Sequence, residues 1–109
     1  MDELLRSITN ANIAKFMDIL CDSNEVRDQM KYWELLIRQV DRLARDEERQ
    51  QALQQCLLKC NDHISRQERV IHRLTYLGAD TATAEDLLNL LLNMRESLRV
   101  QIQVRSTAA

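Results

Sequence analysis

Cys56, Cys60 and His63 stand at i, i+4 and i+7, a spacing that turns all three side chains toward one side of a helix. Cys21 can add a fourth donor from elsewhere in the chain, and zinc accepts such a Cys3His set. Structural zinc sites, however, draw their cysteines as close pairs on loops and turns, whereas buried cysteine packs well as a small hydrophobe. The expectation is core packing, with no metal and no cofactor. His63 and His72 have no triad-like partners in the sequence, so neither is expected to be catalytic. Glu25, Asp28, Glu34 and Asp41 read as solvated surface, since acid–base work needs desolvated carboxylates in a cleft. The chain lacks a Gly-rich phosphate loop, a nucleophile elbow, a Cys-x-x-Cys pair and a His-Glu-x-x-His run. The protein is not expected to be an enzyme.

Lys59, Arg66, Arg69 and Arg73 form a basic stripe, edged by His72, that is suited in principle to phosphates. Asp62 and Glu68 interrupt or flank it, no aromatic stacking platform accompanies it, and the whole chain carries a net charge of -2. A solvated helix face is the stronger reading, and nucleic acid an unfavoured partner. Residues suited to a protein contact are Leu35, which points away from its neighbours' inner face, Tyr76 with its apolar body and polar tip, and Leu90, Val100 and Val104.

The composition indicates that helices carry these residues. Among 109 residues there are one Gly and no Pro, so the punctuation of sheets and irregular loops is missing. Aromatics are only 4% of a chain that is 45% hydrophobic, which leaves an aliphatic core of the kind that suits a helix bundle. One domain over 1–109 is expected, large enough to bury roughly two-thirds of its unfolded surface. No apolar run approaches a membrane span, Met1-Asp2-Glu3 lacks the basic start of a signal peptide, and the three cysteines lack disulfide spacing. An intracellular, cytoplasmic location is expected, with the nucleus left open.

The strongest periodicity runs through Leu53, Leu57, Cys60, Ile64, Gln67, Ile71 and Leu74, at steps of four and three. Cys56, His63, Val70 and Leu77 recur every seven residues beside this seam and widen it. In the first helix Leu5, Ile8, Ile13, Phe16, Ile19 and Leu20 share a face, but Ser7, Thr9, Asn10 and Asn12 dilute it and suggest a late start with Asn10 or Asn12 as cap. Asp22 with Glu25 has the form of a capping box for a second helix, whose inner face carries Val26, Met30, Trp33, Leu36, Ile37, Val40, Leu43 and Ala44. Residues 42–51 hold only good helix formers, so a continuous rod over about 24–77 competes with a turn near Arg45. Charge order favours the turn: Arg42 and Arg45 suit a helix C-terminus, while Asp46, Glu47 and Glu48 suit the next N-terminus, with Asp46 as cap.

Leu77-Gly78 places the only glycine at a helix end, and Thr83 with Asp86 forms a second capping pair. Leu87, Leu88, Leu91, Met94, Leu98 and Ile102 line the last inner face. Val100 to Val104 alternates like a strand, but the inward register through Ile102 favours helix. The expectation is an all-α, antiparallel three- or four-helix bundle with coiled-coil-like packing and helices near 4–20, 24–45, 47–77 and 84–104. Function follows from surfaces: a non-enzymatic protein–protein interaction module, either a small helical subunit, adaptor or regulator acting through apolar helix faces, with a protein partner or a homo-oligomer. The alternatives are a dedicated chaperone that sequesters a partner helix and a nucleic-acid-associated regulator using the basic stripe.

Overall fold

The computed structural model describes residues 2–43 and 45–107, and among them there are four helices and no strand. They are α1 (Asp2–Asp22), α2 (Val26–Asp41), α3 (Asp46–Tyr76) and α4 (Ala82–Thr107). Short connections make consecutive helices antiparallel. α1 and α2 form one hairpin, α3 and α4 another, and α3 lies at the centre because it also touches α1 and α2. α2 meets α4 only lightly, and α1 and α4 do not meet among the described residues.

α1 does not begin late. Its polar first half is helical: the buried Thr9 hydroxyl is satisfied without leaving the helix by donating to Leu5 O at 2.8 Å, and Arg6 Nε ties this half to α3 by pairing with Glu48 at 2.9 Å. Asn12 is no cap; its amide donates to Gln39 Oε1 on α2 at 3.4 Å. Leu5 and Ile8, expected on the inner face, are exposed together with Leu4.

Asp22 proves to be the last residue of α1 rather than a cap for α2. Glu25 occupies the cap position, and its amide donates to the Ser23 hydroxyl at 3.3 Å. The carbonyls left over at the end of α1 are taken by Gln29, whose amide donates to Leu20 O at 2.6 Å and Ser23 O at 2.9 Å. Gln29, only 1% exposed, therefore faces inward, and Met30 one residue on is 59% exposed rather than on the inner face. A rotation of about 100° per residue makes those two placements mutually exclusive.

The chain turns between Asp41 and Asp46, and no rod forms. Arg42 and Leu43 close the end of α2 with short-range bonds to Gln39 O and Val40 O, and Leu43 is buried as a plug beneath the turn. Ala44 lies outside the described residues. The cap of α3 is Arg45, in extended conformation, and Asp46, Glu47 and Glu48 fill the first turn where the helix dipole favours them. Asp46 pairs with Arg49 there.

At the far end of α3, Ala79 N donates to Leu74 O at 2.9 Å and Gly78 N to Thr75 O at 3.1 Å, with Gly78 at φ +70°. These are the paired bonds of a Schellman close, which needs a left-handed residue at that position. α4 then starts at Ala82, and its cap falls two residues before Thr83: Asp80 accepts from Ala82 N at 2.9 Å, and Thr81 holds the cap position, its carbonyl accepting from Glu85 N. The helix continues past the alternating Val100–Val104 stretch to Thr107.

Leu36, Leu53, Leu87, Leu91 and Leu98, each at most 2% exposed, form the centre of the core, joined by Ile13, Val40, Cys56, Ile64 and Met94. Three side-chain bonds set the register of α4 against α3: Gln67 to Ala84 O, Cys60 to Leu91 O and Gln50 to Ile102 O. At 31 residues α3 is about 46 Å long, against about 24 Å for the 16-residue α2. Arg66 already reaches the end of α1 at Cys21 O, so the rest of α3 projects beyond the first hairpin. That is why Val70 and Leu77, on the expected stripe, are 44% and 69% exposed.

Candidate interaction surface

The thiols and the imidazole singled out by spacing do come together. Cys21, Cys56, Cys60 and His63 border one small cavity of about 30 Å³, closed by Trp33 and Met94 among others. Its chemistry is muted. Burial pushes the Cys56 thiol up to about 12 and Cys60 up to about 11, the latter partly opposed by the Arg95 charge. Cys21 is raised by burial too, against the pull of Lys59 and Arg66. Burial also lowers the His63 pKa, the Arg66 charge adds to this, and Asp62 opposes it. Neutral thiols are poor nucleophiles and poor metal ligands, and Cys60 uses its proton to donate to Leu91 O at 3.4 Å. Among the described residues no three metal-binding side chains converge on a metal-sized site.

The basic stripe is divided by the fold. Arg66 is half-buried; its guanidinium donates to Cys21 O at 3.3 Å and pairs with Asp62 at 3.5 Å, so it serves the C-terminus of α1. Lys59 is exposed beside it. Arg69 and Arg73 stand apart on the projecting end of α3, where with Glu68, His72 and Tyr76 they edge a shallow hollow. Tyr76 is 87% exposed at that tip.

The larger feature is an open groove of about 820 Å³ between α2 and α4. Alternation of direction makes these two helices parallel, and their light contact leaves the space between them unfilled. Val26, Met30 and Trp33 form the wall on α2; Leu90, Met94 and Ser97 form the wall on α4. Arg27, Lys31 and Glu34 provide a charged rim on one side and Asn93 a polar one on the other. Of the residues marked for protein contact, Leu90 lines this groove, and Val100 and Val104, 50% and 59% exposed, continue its α4 ridge by helical spacing. Leu35 is half-buried and, like Tyr76, lies outside the groove lining. Met30, 59% exposed, is the groove residue that the helical period assigned to the core and the fold leaves at the surface; Trp33, half-buried, packs against the core as expected and lines the groove with its remaining face.

No protein-family model matches the chain, and no curated protein or solved structure is significantly similar to it. No helix among the described residues is long and apolar enough to cross a membrane.

Proposed function

We propose that this protein is a non-enzymatic interaction module that accepts an amphipathic helix in the groove between α2 and α4. One observation carries the reading: a groove with apolar walls and a charged rim left open on the side of a bundle, the form in which helix-in-groove recognition places its anchors. The neutral, buried thiols favour a binding role over catalysis, and free cysteines suit a reducing, intracellular compartment. A subunit that retains its helix and a chaperone that releases it use the same groove and differ in the lifetime of the complex. A nucleic-acid role has less support, because Arg66 is engaged with α1 and Arg69 and Arg73 stand beside Glu68.

The test is a photo-crosslinking residue placed at Met30, with Lys15 on exposed α1 as control, in the cell that makes the protein. Discrete adducts from position 30 that Leu90→Lys abolishes are expected. Equal labelling at both positions, or none at position 30, refutes the reading.

A further inference from the structure

Three arginines from different parts of the fold border one pocket of about 280 Å³ beside the α2–α3 turn. Arg6 comes from the first half of α1, Arg42 from the end of α2, and Arg45 from the residue before α3. Buried Leu43 forms part of the wall, and two carboxylates, Glu3 and Glu48, share the lining. Glu48 is already committed. Its side chain is only 17% exposed, and its Oε1 lies 2.9 Å from Arg6 Nε. Arg42 and Arg45 are exposed, and their guanidinium groups make no ion pair or hydrogen bond among the described residues.

Arg45 is the more telling of the two. It occupies the cap position of α3, where Ser, Thr, Asp and Asn are favoured and the helix dipole opposes a cation, and its side chain makes no capping bond. Local rules broken without a compensating contact concentrate at functional sites. We propose that this pocket binds a small, multiply charged oxyanion, a phosphate ester or a di- or tricarboxylate, between the guanidinium groups of Arg42 and Arg45. Planar guanidinium forks match the paired oxygens of phosphate and carboxylate. With Arg6 neutralising Glu48, two free cations remain, which suits a dianion, while exposed Glu3 opposes it. The volume lies a little below the roughly 300 to 1,000 Å³ of ordinary ligand pockets, so the ligand has the size of a small metabolite. The N-terminus of α3 is not itself the seat, since Asp46, Glu47 and Glu48 fill its first turn. The pocket shares no lining residue with the α2/α4 groove, and the two sites are tested separately.

The experiment is calorimetric titration of the full chain with pyrophosphate and with citrate at constant ionic strength. Saturable one-to-one binding of at least one anion is expected, and the one that binds assigns the phosphate or the carboxylate class. Arg42→Gln with Arg45→Gln should weaken binding by about tenfold or more, as loss of charge-assisted bonds to a ligand does. Both side chains are exposed, so this variant keeps its fold, which far-ultraviolet circular dichroism checks. Arg69→Gln with Arg73→Gln removes the same charge elsewhere on the surface and should leave affinity nearly unchanged. Glu3→Gln removes the opposing carboxylate and should tighten binding, an effect that a merely structural role would not produce. Failure of both anions to saturate, or equal weakening by the two arginine pairs, overturns the proposal.

Discussion

Replacing Gln29 by Met tests whether the first hairpin depends on a single buried amide. The side chain is 1% exposed, and its Nε2 donates to Leu20 O at 2.6 Å and to Ser23 O at 2.9 Å, two carbonyls that the end of α1 leaves without a helical partner. Methionine keeps the volume and removes both donors. The Leu20 bond is buried, so that oxygen is stranded away from water at a cost of about 1 to 3 kcal/mol. The Ser23 bond is only partly buried, water can replace it, and its loss costs about 1 kcal/mol. The total, about 2 to 4 kcal/mol, is a large fraction of the 5 to 15 kcal/mol typical of a whole domain. Urea unfolding followed by far-ultraviolet circular dichroism should show a lower midpoint with an unchanged slope. Gln29→Glu sharpens the test, because it keeps the shape but points a carboxylate at two carbonyls. Its acid should titrate above the ordinary value of about 4.3, so the folded form binds the proton more tightly, and the variant's deficit should grow as pH rises through that value and shrink below it. A Met variant within about 0.5 kcal/mol of wild type, which is the scatter expected of surface changes, would refute the reasoning.

Ile64→Ala, at a position 3% exposed midway along α3, should cost about 2 to 5 kcal/mol in the same assay; unchanged unfolding would mean the seam is misplaced. His63 is neutral when folded because burial lowers its pKa, whereas the unfolded imidazole takes a proton below about 6.5. Its contribution is therefore complete above that pH and declines as pH falls below it, so His63→Leu should flatten the stability profile between pH 6.5 and 5 (roughly the window below the unfolded value), and an unaltered slope would remove His63 as its cause. Cys56→Ala with Cys60→Ala should destabilise by about 1 to 3 kcal/mol without altering metal content. Stoichiometric zinc in the wild type that disappears from this double variant would contradict the packing role.

Much of the bundle is legible in the sequence because local chemistry and periodicity act within one helix. Steps of four and three put Leu53, Cys60, Ile64 and Gln67 on one face of α3, and all four are buried. Reversal of charge from Arg42 and Arg45 to Asp46, Glu47 and Glu48 marks the turn that separates α2 from α3, and the only glycine closes α3 because no other residue takes φ +70° so cheaply. Caps are less legible, since Asp22, Ser23, Glu25, Thr81 and Thr83 all have plausible capping chemistry and the choice among them depends on how the hairpins pack. Depth of burial is not legible at all from period alone. Val70 repeats the spacing of Cys56 and His63, yet it is exposed because the first hairpin ends before reaching it. Gln29 outranks Met30 for the interior because only its amide can satisfy the carbonyls of the preceding helix. The groove is the least local feature, and it belongs to the tertiary structure alone. A helix period says which residues share a direction, but whether a neighbour fills that direction depends on the lengths and spacing of other helices, and between parallel α2 and α4 nothing in the described chain does.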